Sequence, residues 1–95
     1  MVDDWKKYHV EKLVELDPNK REEAVLYLKG LLREALPAIR EMEQQAPQDW
    51  WGPYHHGWGT AIRNALRTNG FGETSLGVKN LDDYYIALIE EAIKP

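Results

Sequence analysis

Side chains able to do chemistry crowd into one short stretch, Asp49-Trp50-Trp51-Gly52-Pro53-Tyr54-His55-His56-Gly57-Trp58-Gly59, which continues into Ile62-Arg63-Asn64. It gathers three of the four tryptophans and two of the three histidines. Histidine titrates near neutrality and serves as a base or metal ligand, arginine grips carboxylates through a planar fork, and tryptophan and arginine are enriched at interface centres. Aromatic side chains also bury large areas, so the same stretch is either a site or the centre of a small core.

Each chemistry meets a geometric limit. Adjacent helical residues point about 100 degrees apart, so His55 and His56 do not readily share one metal ion, even with Asp49 or an acid of the last helix beside them. Pairing His56 with Thr60, or His55 with an aspartate, supplies neither an activated nucleophile nor an oxyanion loop. Gly57-x-Gly59 follows no strand and is a poor dinucleotide cradle. The residues therefore specify no catalytic group, no metal and no cofactor, and a small histidine-dependent hydrolase ranks third among the readings.

The elements that must position these residues follow from apolar spacing. Trp5, Tyr8 or His9, Lys12 or Leu13, and Leu16 recur in steps of three and four behind Asp3 or Asp4, which predicts a helix over residues 4–16. Asp17-Pro18 then supplies a cap and a first-turn proline for Val25, Leu28, Leu32, Ala35, Ile39 and Met42, the strongest repeat in the chain. Ala24, Leu31 and Leu36 widen this stripe. Pro37 lies inside it, so the helix must kink there or restart as a second one; the unbroken phase favours a long second helix kinked at Pro37. The stripe is read as core and not as a coiled-coil seam, being wider than an a/d seam and barely three heptads long.

Residues 44–48 form a polar linker, and from Tyr54 to Thr68 the pattern is helical again. Trp51, His55, Trp58, Ile62 and Leu66 share one face, with His56, Thr60, Arg63 and Arg67 on its neighbour. Gly57, Ala61 and Asn64 make a small-residue strip suited to close approach of another helix or of a ligand backbone. Asn69-Gly70 is a helix stop, residues 71–79 read as an ordered loop pinned by Phe71, Leu76 and Val78, and Asn80 caps a last helix carrying Leu81, Tyr84, Tyr85, Leu88, Ile89, Ala92 and Ile93.

On these faces the roles divide. Trp51 and Trp58 point inward and Trp50 sits at the rim; His55 is a hydrogen-bonded core histidine; Arg63, at the core edge, clamps Asp82 or Asp83 while Asn64 donates to a loop carbonyl. The outward strip of Trp50, Tyr54, His56, Thr60, Arg63 and Arg67 is the candidate partner-binding face.

Composition bounds the class. The chain has 95 residues, no cysteine and a net charge of −4, with ten acids against eight bases up to Pro47 and six against four beyond. One domain with one core is expected, without disulfides or a basic arm for nucleic acid. The lack of cysteine gives no sign of an oxidising compartment and leads to the expectation of a cytoplasmic setting, and Met1-Val2-Asp3-Asp4-Trp5-Lys6-Lys7 does not read as a signal peptide nor any segment as a membrane span, so a soluble chain is expected.

His55-x-Gly57-x-Gly59-x-x-Ile62-Arg63-Asn64, followed by Asp82-Asp83 at the opening of an apolar helix, resembles a group of small uncharacterised domains of bacteria and their phages. The similarity covers residues 50–93 and departs after Asn64, where this chain has Ala65-Leu66-Arg67. It implies a compact helical domain in a bacterial or phage setting and carries no mechanism.

The sequence thus predicts a single all-α domain of four principal helices, the second long and kinked at Pro37, with the His55 to Asn64 helix at its centre. Its expected function is non-enzymatic: binding of another protein, or self-association, through the aromatic and basic face. Nucleic-acid binding through Arg63 and Arg67 is the alternative.

Overall fold

Among the described residues the spacing of apolar side chains becomes six α-helices: α1 (Asp4–Glu15), α2 (Pro18–Leu31), α3 (Leu36–Gln45), α4 (Trp58–Thr68), the short α5 (Glu73–Leu76) and α6 (Tyr85–Ala92). The computed structural model describes residues 4–46, 50–52 and 57–94, and the side chains of these except residues 4–6 and 83. Every regular element among the described residues is helical. No helix there is long and apolar enough to cross a membrane.

Local chemistry sets the boundaries. The Asp17 carboxylate accepts from the Lys20 amide at 3.0 Å and Pro18 occupies the first turn of α2, where its missing N–H costs nothing. Arg21 donates to the Leu13 carbonyl at 3.1 Å, so the end of α1 is tied to the start of α2.

Pro37 does not kink one long helix. The chain leaves α2 at Leu31, turns through residues 32–35, and restarts with Pro37 in the first turn of α3. A proline at 37 cannot donate to the Arg33 carbonyl and its ring crowds that turn, so the helical ladder is interrupted just ahead of it. The apolar phase survives the break: Leu28, Leu32 and Ile39 are all buried. Leu31, expected to widen the stripe, is exposed.

The central helix is α6, not α4. Tyr85, Ala87, Leu88, Ile89 and Ala92 are fully enclosed, with Ile86 nearly so, and α6 packs on α2 and α1. A helix apolar around most of its circumference must lie inside, and this one does. Leading into it, Asn80 caps a single 3-10 turn (Leu81–Asp83), its side chain accepting from the Asp82 amide at 2.9 Å. The Tyr84 hydroxyl donates to Glu15 at 2.9 Å, which fixes the start of α6 against the end of α1.

Helix α4 begins later than the spacing predicts. Gly57 is its N-cap, so Gly59 alone of the two glycines lies inside the helix. A Cβ at Gly57 would meet nothing within 4 Å, and Ala61 and Asn64 are exposed, so the small-residue strip faces solvent and not another helix. Gly70 and Gly77 take positive φ values of 88° and 76° where α4 and α5 end, a conformation that favours glycine.

Candidate functional site

Two polar clusters occupy opposite fates in this small core. The first is built on α4, where Arg63 is only 7% exposed although charged. Its Nε lies 2.7 Å from Asp82 Oδ1, Nη2 donates to the Thr60 hydroxyl at 2.8 Å, and the guanidinium stands over the Tyr85 ring at 4.7 Å. The carboxylate on the 3-10 turn therefore meets the arginine at the core edge, which pins the entry of α6. Burial pushes the Tyr85 phenol up.

One turn along, Arg67 grips Glu73 through both carboxylate oxygens, at 3.2 and 2.9 Å, and also donates to Asn64 Oδ1 at 3.2 Å. Asn64 thus accepts from Arg67, where a bond to a loop carbonyl was expected. Glu73 also accepts from the Leu81 amide at 3.1 Å. These donors hold its carboxyl down at about 2, the Arg67 hydrogen bond contributing most, and the same bond raises Arg67. The expected outward strip is therefore largely closed on itself: Thr60, Arg63 and Arg67 spend their donors and acceptors within the chain. Tyr54, His55 and His56 lie outside the described residues, as does Asp49. The Asp83 side chain lies outside them too.

Trp50 corrects the expectation more sharply. It is 3% exposed, while Trp51 and Trp58, placed inward by their spacing, are only half-buried. The reason is an acceptor that helical periodicity does not reveal: the Trp50 indole donates to Glu90 Oε2 at 3.0 Å. A buried indole N–H needs such a partner.

That bond belongs to the second cluster, formed by residues the sequence reading left in the core or passed over. His9 of α1 and Glu90 of α6, both buried, meet at 2.6 Å between Nδ1 and Oε1. Glu90 thus uses one oxygen for His9 and the other for Trp50, joining α1, α6 and the segment before α4 through one carboxylate. Trp51 lies edge-on to His9 with ring centres 6.5 Å apart, and Trp58 packs likewise on Trp50 at 6.5 Å. The sequence carries little signal for this cluster, since Glu90 stands beside Glu91 after the apolar residues 84–89 and reads with it as the polar side of the last helix.

Beside the His9–Glu90 pair opens a pocket of about 380 Å³ between α1, α3 and α6. Leu13, Ala87 and Ile93 give it apolar walls, Val10 stands at its mouth, and Arg40 and Gln44 approach from α3. The volume falls in the range of small-molecule and side-chain sites. Arg40 Nε donates to the Ile93 carbonyl at the end of α6. Val10 and Val14, one turn apart on α1, are 56% and 71% exposed, so apolar surface runs out from the pocket along that helix. Among the described residues no group of three or more His, Cys, Asp or Glu side chains is placed to hold a metal ion.

No protein-family model, no curated protein and no solved structure matches the chain.

Proposed function

We propose that this protein is a small non-enzymatic interaction module that binds another protein through the α1–α3–α6 side, with the pocket as the anchor point. The observation that carries this reading is the 380 Å³ pocket opening beside the exposed Val10. Pockets that take an anchor side chain, flanked by apolar surface and rimmed by charge, are how small domains concentrate binding energy. The residues around it supply binding chemistry: aliphatic walls, a guanidinium and an amide. His9 and Glu90 form its rigid support, each buried and hydrogen-bonded to the other.

The aromatic and basic face of α4 is the weaker surface for this role, because Trp50 is buried and Arg63 and Arg67 each hold a carboxylate. The same pairing removes support from nucleic-acid binding, which needs uncompensated cations. A cytoplasmic setting fits the cysteine-free composition.

Paired surface variants test the proposal. Val10→Asp and Asn64→Asp each change one exposed residue, and both should leave the fold intact. In affinity capture from the native host, Val10→Asp is expected to lose the specific partner and Asn64→Asp to retain it. Loss with Asn64→Asp and retention with Val10→Asp would return the function to α4.

A further inference from the structure

The structure assigns a ligand chemistry to the pocket: it takes the C-terminal carboxylate of a partner chain ending in an aliphatic residue, held by Arg40 and Gln44 over Leu13, Ala87 and Ile93. This rests on the proposed protein-binding role and names what the pocket reads.

The assignment follows from an inventory of donors. Three carboxylates line the pocket, and none is free: Glu90 accepts from His9 and Trp50, Glu91 lies 2.9 Å from Lys94 Nζ, and Glu43 has an interaction of its own. Glu90 has both oxygens occupied, and Lys94 offsets the charge of Glu91. Arg40 differs. It is half-buried, its Nε is used on the Ile93 carbonyl, and its two terminal amino groups meet no acceptor among the described residues. Those groups carry four of the five N–H donors of a guanidinium.

Gln44 lies four residues on, on the same side of α3, and its amide likewise has no hydrogen-bond partner among the described residues. A fixed guanidinium fork with surplus donors matches one ligand group above others, a carboxylate taken through two parallel hydrogen bonds. The Ile93 carbonyl orients the fork by holding Nε, so little side-chain freedom remains to be lost on binding.

The body of the ligand is set by the walls. Leu13, Ala87 and Ile93 are aliphatic, and 380 Å³ holds an aliphatic side chain with its terminal carboxyl. The apolar surface continues outward over Val10 and Val14, giving preceding residues of a chain somewhere to lie. Capture of a terminal carboxylate is an established mode of peptide recognition.

The test titrates the intact ¹⁵N-labelled protein with acetyl-Gly-Leu-Leu as free acid, the same peptide as C-terminal amide, hexanoate and hexanol. The free acid is expected to shift the amides of Leu13, Ala87 and Ile93 and the Arg40 Nε–H saturably. It should bind at least ~10-fold more tightly than the amide, as expected for losing a charge-assisted pair. Hexanoate should bind more weakly than the free-acid peptide and more tightly than hexanol. Arg40→Gln should weaken the free acid ~10-fold, whereas Arg33→Gln, on an exposed arginine, should leave it unchanged.

Equal affinity for acid and amide, or unaltered binding to Arg40→Gln, overturns the assignment. Hexanoate binding as tightly as the peptide would overturn the partner terminus in favour of a free small acid. Because the acid and amide are compared on the wild-type protein, the result stands even if Arg40→Gln misfolds. Failure of the free acid together with continued loss of partner capture by Val10→Asp would remove the carboxylate and leave the protein-binding role in place.

Discussion

Three arginines stand on α3 and α4, and their surroundings separate them. Arg63 and Arg67 on α4 each reach a carboxylate, Asp82 at 2.7 Å and Glu73 at 2.9 Å, whereas among the described residues Arg40 on α3 reaches only a backbone carbonyl. A basic strip on a helix wheel therefore says little about function until its counter-ions are placed. The α4 side consumes its own charges to dock α5 and α6. The α1–α3–α6 side leaves donors over, next to a cavity.

The largest effect should come from the support beneath that cavity. Replacing Glu90 by Leu leaves the His9 ring and the Trp50 indole buried without their shared acceptor, which should cost about 3–5 kcal/mol of stability in urea unfolding. Glu90→Gln keeps an acceptor and should cost about 1–2 kcal/mol. Equal costs for the two would mean that packing, not the hydrogen bonds, holds Glu90 inside.

Next, Arg63→Ala should destabilise by about 2–4 kcal/mol, since Asp82 loses its partner and the Tyr85 ring its cation. Arg63→Lys should recover part of this, a point charge being unable to serve Asp82, Thr60 and Tyr85 together. A cost below about 0.5 kcal/mol for Arg63→Ala would show that α6 docks without the clamp.

Arg67→Ala should matter less, about 1 kcal/mol or under, because the Arg67–Glu73 pair is partly exposed and screened. Its clearest signature is in titration. The Glu73 carboxyl is lowered from 4.5 to about 2 in the folded chain, so the pair's contribution is present above pH 4.5 and fades as the pH falls toward 2. Carboxyl NMR should show Glu73 titrating near 2 in wild type and moving up toward the ordinary range in Arg67→Ala. Titration near 4.5 in wild type would contradict the bidentate pair.

The smallest effect on stability belongs to Arg40→Gln, about 0.5 kcal/mol, the low end for one part-buried hydrogen bond to a carbonyl. A loss as large as that of Arg63→Ala would erase the distinction between the two sides.

What could be read from the sequence was what depends on neighbours in the chain. The extent of α1, the Asp17-Pro18 start of α2, the stop at Asn69-Gly70 and the Asn80 cap all follow from local spacing and capping. The placing of Arg63 near the Asp82-Asp83 pair was legible too, because helical register put it at the core edge and the last helix began with the acids. Pro37 was ambiguous, since an unbroken apolar phase fits either a kink or a restart.

The His9–Glu90 bond joins residues 81 apart, and no period in the chain connects them. Glu90 reads as the polar side of an amphipathic helix until α6 proves to be enclosed nearly all round. Trp50 was misplaced for the same reason: its burial depends on an acceptor supplied by another helix. Arg40 reads as one more solvated charge on α3, and only the approach of the end of α6 makes it part of a pocket.

The central claim is that the α1–α3–α6 side, and not the α4 face, meets the partner. The most direct measurement places a photo-crosslinking amino acid at Val10 in one protein and at Asn64 in another, both exposed positions, and illuminates each in the native host. A discrete adduct from Val10 and none from Asn64 is the expected result; an adduct from Asn64 and none from Val10 would contradict the claim.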